Sequence, residues 1–175
     1  AIALCMGSED PRNLDIPGRN FKGIHFAMEF LSQQNNRIAG HLIDPNFEIS
    51  AKGKDVLVIG GGDTGSDCVG TSNRQGAKSV RQLELLAEPP EKEDKLLTWP
   101  NWPMKLRTSS SHEEGCERDW SILSKSFSSE NDNVSGLKGV NVEWFKNSVG
   151  NLEMRELQSS EINIKADLIL LAMGF

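Results

Sequence analysis

The stretch Lys54–Gly76, KDVLVIGGGDTGSDCVGTSNRQG, sets the reading of the whole chain. Val56, Leu57, Val58 and Ile59 are apolar on both faces, the pattern of a central strand in a parallel sheet. Gly60-Gly61-Gly62-Asp63-Thr64-Gly65 follows and matches G-x-G-x-x-G, with Gly60, Gly62 and Gly65 in the three slots. The pattern then turns helical, and Gly76 is placed to end the helix. Gly60 permits a tight turn off the strand, Gly62 lets backbone approach a pyrophosphate, and Gly65 lets the helix pack closely on the strand. Free N–H groups and the helix dipole favour a phosphate at such a turn. Asp63 and Thr64 sit in the turn, where their side chains can reach a bound cofactor.

A glycine motif alone is a weak signal. Here a second strand pattern, Ser79–Leu86, follows the helix and carries Glu84, nineteen residues beyond Gly65. A dinucleotide-binding unit sets an acid at this point on the adenosine ribose hydroxyls. Two bland alternatives stand beside this: a glycine-rich turn without a ligand, and Glu84 as an ordinary exposed strand residue.

The bulk numbers fit that unit. The 175 residues suggest one domain, or one plus part of another. A net charge of −6 argues against a nucleic-acid surface, and no run of eighteen apolar residues predicts a membrane span. No secretory leader is recognisable, so a cytoplasmic location is the expectation. Cys5, Cys68 and Cys116 are odd in number and widely spaced, which argues against a disulfide framework or a zinc site. Cys68 reads as a small packing residue rather than a nucleophile. His25 reads as an ordinary helix residue, and His41 has no visible partner. His112-Glu113-Glu114 lacks the second histidine of a helical zinc motif, so no metal site is expected.

Outward from the glycine stretch, Ala1–Gly7 reads as an apolar strand, followed by a loop carrying Pro11, Pro17 and Gly18. Residues 21–36 read as an amphipathic helix with Ile24, Ala27, Met28 and Leu31 on one face. Residues 37–53 are a polar connector. Residues 87–115 form a long Pro-broken loop with Trp99 and Trp102, packing against its own domain, a neighbouring domain or a ligand. Within it, Ser109–Glu114 (SSSHEE) looks like a helix start. Trp120–Phe127, Leu137–Phe145, Leu152–Leu157 and Ala166–Ala172 are strand candidates, separated by turns at 128–133 and 147–151. The predicted fold is α/β: a Rossmann-like three-layer dinucleotide-binding domain with an antiparallel β-meander and a last, buried parallel strand.

Several stretches also resemble one family. GIHFAMEFL (23–31), ISAKGKDVLVIGGGDTGSDCVGTS (49–72), GAKSV (76–80), ELL (84–86), HEEG (112–115) and ADLILLAMGF (166–175) are similar to the small subunit of glutamate synthase, within the group of flavoproteins that bind two dinucleotides. The resemblance implies a piece excised from a larger FAD/NAD(P)-binding protein. Residues 1–20 and 167–175 would be seams to an FAD domain, and 21–166 the NAD(P)H-binding domain. Leu4–Gly7 and Leu171–Gly174 resemble the strand–glycine crossings of that group, although Cys5 replaces the usual alanine.

The resemblance further implies that the parent passes a hydride from NAD(P)H to FAD and then through iron–sulfur clusters to a large subunit. There glutamine-derived ammonia and 2-oxoglutarate become glutamate. This piece would supply cofactor binding through Gly60, Gly61, Gly62, Asp63, Thr64, Gly65, Glu84 and Gly174, with no catalytic acid, base or nucleophile and no metal ligand. The FAD and iron–sulfur clusters would belong to the parent rather than to this piece, which alone should not turn over. Its partners would be its own FAD domain, the iron–sulfur region and the large subunit. Glu84 where family members using NADPH carry arginines favours NADH, with Arg74, Arg81 and Lys92 as the nearest cations for a 2′-phosphate. The competing readings are the pyridine-nucleotide domain of another FAD-dependent oxidoreductase of that group, or a non-catalytic nucleotide-binding module.

Overall fold

Side chains alternate between two buried faces along two adjacent strands, and this places every layer. The structure, a computed structural model, describes residues 2–3, 7–101 and 103–175 apart from the Leu97 side chain. Along the chain the elements are β1 (Ile24–Phe26), α1 (Ala27–Ile38), β2 (Asp55–Ile59), α2 (Asp63–Arg74), β3 (Ser79–Leu83), α3 (Lys95–Thr98), α4 (Ser110–Glu113), β4 (Glu117–Asp119), β5 (Ile122–Glu130), β6 (Asn133–Lys146), β7 (Leu152–Lys165) and β8 (Leu168–Leu171). Five strands pair in parallel in the order β1-β8-β2-β3-β4, and β5-β6-β7 form an antiparallel meander.

Val56, Val58, Leu168 and Leu170 point to one face of the parallel sheet and pack with Ala27, Phe30, Cys68 and Val69 of α1 and α2. Leu57, Ile59, Ile169 and Leu171 point to the other face and pack with Ile122, Phe127, Val134, Leu137 and Ile164 of the meander. Period-two alternation on strands covered from both sides gives the near-continuous apolar sequence noted for β2. The result is three layers: helices, parallel sheet, meander. The last strand is central: β8 lies between β1 and β2 and is buried along its whole length.

Four expectations need correction. The helix expected over 21–36 begins only at Ala27, because Ile24–Phe26 forms a strand that pairs with Ile169–Leu171. Three residues are too few for a period to declare itself, and the partner strand lies far along the chain. Ala27 and Phe30 form the buried face of α1, while Met28 is 44% exposed. The strand expected over Trp120–Phe127 is β5, shifted to Ile122–Glu130, and a further short strand precedes it. Glu117–Asp119 completes the parallel sheet, Ser121 takes a positive φ of 57°, and β5 then starts the meander. The turn expected at 128–133 contracts to Asn131 and Asp132, both at positive φ, the geometry of a two-residue hairpin. β7 also runs well past Leu157, to Lys165. Leu4, Cys5, Met6 and Trp102, on which the N-terminal strand, the first crossing and part of the Trp/Pro loop depend, lie outside the described residues.

Candidate functional site: the glycine turn and its roof

β2 ends at Ile59 and the chain turns sharply at Gly60, at φ +122°. The Gly60 N–H donates to the Leu83 carbonyl at 2.9 Å, and the Gly60 carbonyl accepts from the Gln82 amide at 2.8 Å. A Cβ on Gly60 would collide with the carbonyl of Ala172 at the end of β8. On Gly65 it would collide with the Gly60 carbonyl and come within 2.7 Å of Gln82 Nε2. On Gly62 it would meet nothing within 4 Å. The first and third glycines are thus needed for packing, and the second faces open space. α2 starts at Asp63, and its N-cap, Gly62, has no side chain to bond the first-turn N–H groups. Those N–H groups and the positive end of the helix suit an anion.

The tail of the 87–115 loop returns over this turn. Gly61, Gly62, Asp63 and Ser66 form one side of a pocket of about 350 Å³, and Arg107, Ser109 and His112 form the other. α4 exists here because its ends are tied: Ser109 Oγ accepts from the His112 N–H, and His112 Nδ1 accepts from the Ser109 N–H at 3.1 Å. The Ser109 hydroxyl is in hydrogen-bond contact with that of Ser66 on α2. His112 Nε2 lies 2.9 Å from Gln82 Oε1. Burial, and then the neighbouring Arg118 guanidinium, lower the pKa of His112. The SSSHEE stretch declared the helix start, as expected. Its destination against the glycine turn had no signal in the sequence, and Gln82, Arg107, Ser109 and His112 were not singled out as site residues.

Glu84 reaches the same turn from the end of β3. A Cβ on Gly61 would collide with its carboxylate, which fixes the carboxylate against the turn. Trp120 Nε1–H donates to Glu84 Oε1 at 3.1 Å, and Arg118 lies 3.6 Å from the same oxygen. Arg118 also stacks 4.9 Å over the Trp120 ring. Glu84 is therefore a held, largely buried acid, not an exposed strand residue. Of the cations named from sequence, Arg74 is paired with Glu114 at 2.7 Å and Arg81 with Asp119 at 2.5 Å, while Lys92 stands exposed on the loop. Arg107 lines the pocket over the turn, and Arg118 lies beside Glu84.

On the other flank, Pro11, Met28, Thr64, Ala172, Gly174 and Phe175 border a small groove beside the start of α2. Gly174 takes a φ of +84°, and its carbonyl accepts the Arg12 N–H at 2.9 Å. Burial pushes the thiol of Cys68 up to about 12 and that of Cys116 up to about 11, so neither is poised as a nucleophile. No cluster of three metal-ligating side chains occurs among the described residues, and no described helix is long and apolar enough to cross a membrane.

A parallel sheet with helices on one face, a meander on the other, and a glycine turn at the carboxyl end of its central strand defines the class: a Rossmann-like dinucleotide-binding domain. Among solved structures it is similar to Mycobacterium tuberculosis FprA in complex with NADPH, with a TM-score of 0.65 at 13% identity over 97% of this chain and 49% of that one, which is a likeness of fold. No protein-family model matches the chain. It is 51% identical to the NADH glutamate synthase of Schizosaccharomyces pombe and 41% identical to the NADPH glutamate synthase small chain of Mycobacterium tuberculosis, over all of this chain in both cases. The chain is homologous, end to end, to one segment of the glutamate synthases. It spans 9% of the length of the first relative and 36% of the second.

Proposed function

We propose that the chain is the pyridine-nucleotide domain of a glutamate synthase. It would bind NADH or NADPH on the Gly60–Gly65 turn for hydride transfer to an FAD held by another part of the parent protein. The observation that carries this is the combination at the turn: open space over Gly62 beside the uncapped start of α2, with the Glu84 carboxylate against Gly61. The pyrophosphate would lie over Gly61 and Gly62, with Asp63 and Thr64 alongside and Arg107 as a facing cation. The adenosine ribose would extend toward Glu84, and the nicotinamide toward Ala172 and Gly174. The hydride chemistry is the cofactor's, and these residues bind and orient it. In the parent, residues 1–20 and 167–175 would be the seams to the FAD domain. Electrons would continue through iron–sulfur clusters to a large subunit that forms glutamate from glutamine and 2-oxoglutarate, in the cytoplasm.

NADH is the preferred nucleotide in this reading. A carboxylate accepts hydrogen bonds from a ribose diol and repels a 2′-phosphate, and the S. pombe relative is named for NADH. Arg118 beside Glu84 narrows the margin by partly neutralising it. Titrating the 175-residue chain with each nucleotide tests this. NADH should bind more tightly, and Glu84→Ala should weaken NADH by about three- to tenfold, the worth of one charge-assisted hydrogen bond. Tighter NADPH binding, strengthened by Glu84→Ala, would reverse the preference.

A further inference from the structure

A chain of hydrogen bonds runs beneath the glycine turn, and its backbone and amide partners set the proton position on its histidine. Gln82 is 1% exposed. Its Nε2 donates to the Gly60 carbonyl, so its Oε1 faces His112. Flipping the amide would set two carbonyl oxygens against each other. Since Oε1 can only accept, His112 must carry its proton on Nε2. Nδ1 is then a bare lone pair, which is what the Ser109 N–H requires at 3.1 Å. From Ser109 the chain continues to the Ser66 hydroxyl, and Ser66 N–H donates to the Gly62 carbonyl at 3.0 Å. One histidine thus links the first residue of the turn, the first turn of α2 and the opposite pocket wall.

We propose that His112 is a positioning residue of the nucleotide site: its neutral, Nε2-protonated ring holds the Gly60 carbonyl through Gln82 and holds α4 against α2, and protonation of the ring releases that wall and weakens nucleotide binding. A proton on Nδ1 would meet the Ser109 N–H donor against donor and break that half of the α4 cap, leaving the Ser109 hydroxyl, 3.0 Å from Nδ1, as its acceptor. The inference rests on the glycine turn being the pyrophosphate site. The charged groups around the ring come from four sides. α2 brings Asp63, Asp67 and Arg74, the last paired with Glu114, and α4 itself carries Glu113 and Glu114. β3 and its end bring Arg81, paired with Asp119, and Glu84. β4 and the loop bring Glu117, Arg118 and Arg107. Arg118 is the charge that bears on the ring, and it opposes protonation as burial does.

The ring can be observed directly. Long-range 1H–15N spectra of the nucleotide-free 175-residue chain from about pH 8 to about pH 5 should give a single Nε2–H tautomer for His112, titrating below the ordinary 6.5. Gln82→Met should turn this into a tautomer mixture, because the Nε2–H loses its acceptor. An Nδ1–H tautomer, or a mixture in the unsubstituted 175-residue chain, would overturn the proposal whatever the chain binds. The second readout is the pH profile of the NADH dissociation constant. Binding should weaken about three- to tenfold as His112 protonates, the value of one hydrogen bond. His112→Ala should bind weakly at every pH with no step, and His112→Gln, whose amide can still donate toward Gln82, should recover part of the affinity without the step. If the unsubstituted 175-residue chain binds NADH and His112→Ala keeps the same step, this inference fails alone. If neither the unsubstituted 175-residue chain nor any variant binds either nucleotide, the proposed function fails and takes this proposal with it.

Discussion

At the start of β2, Asp55 is surrounded. Lys78 Nζ lies 2.9 Å from its carboxylate, Ser79 Oγ donates at 2.8 Å, and Lys165 Nζ is 3.1 Å away. Its own N–H donates to Asp167 Oδ2 at 3.0 Å. Five residues on, at the other end of the same strand, the Gly60–Gly65 turn leaves the start of α2 uncapped and Gly62 facing open space. The lower end also holds the larger cavity, about 510 Å³ against about 350 Å³ at the turn. Size alone would choose the wrong end. The lower cavity is lined by charges that satisfy one another: Lys78 and Lys165 share Asp55, and Arg81 is held by Asp119 and Glu117. That arrangement is a clasp joining β2, β3 and β7. The upper end leaves the first-turn N–H groups of α2 without a side-chain cap, an arrangement that suits an anion.

Three substitutions sharpen this contrast, ranked by expected cost in stability. Gly60→Ala should cost on the order of 3 kcal/mol or more, because the new methyl both strikes the Ala172 carbonyl and must adopt φ +122°. Thermal melting measures it, and a near-normal melting temperature would mean that β8 does not close on the turn as described.

Asp55→Asn comes next. The Lys78 and Ser79 contacts, opposed by burial and helped by Lys165, bring the Asp55 carboxyl from 3.8 down to about 2. A depressed carboxyl pKa stabilises the fold above the unfolded-state value, and the gain is lost as pH falls toward the folded-state value. The clasp should therefore contribute about 2 kcal/mol at neutral pH and lose it between about pH 4 and about pH 2. In Asp55→Asn that acid step should be missing from the pH dependence of unfolding, while NADH affinity stays unchanged. A change in affinity would show that the two ends are coupled.

Gly62→Ala is the smallest in stability, under about 1 kcal/mol, since its Cβ meets nothing and its φ of −78° suits any residue. NADH affinity should nevertheless fall at least about tenfold, because the methyl takes the space where backbone approaches phosphate. Unimpaired binding would remove the pyrophosphate from the turn.

Much of this was legible from residue order because it is local chemistry. A short apolar run, a glycine turn and a following helix fix β2, the turn and α2 within some twenty residues, and Glu84 falls one strand later. The buried last strand declared itself in the same way, by the run Leu168–Leu171. The failures also share a cause. Ile24–Phe26 carries too few residues to show a period, and it is a strand only because β8 lies beside it. The break at Ser121 exists because two sheets divide the residues around it.

The sequence by itself therefore determined the Rossmann-like strand–turn–helix unit, the acid that follows its second strand and the three-layer plan. Tertiary structure alone decided what surrounds that unit: that Arg107, Ser109 and His112 return over the turn, that Glu84 is shared with Trp120 and Arg118, and that Arg74 and Arg81 are committed elsewhere. A strand–turn–helix is specified by neighbours along the chain, through backbone freedom and side-chain period. A pocket wall is specified by neighbours in space, through pairings such as His112 with Gln82 that join residues thirty positions apart.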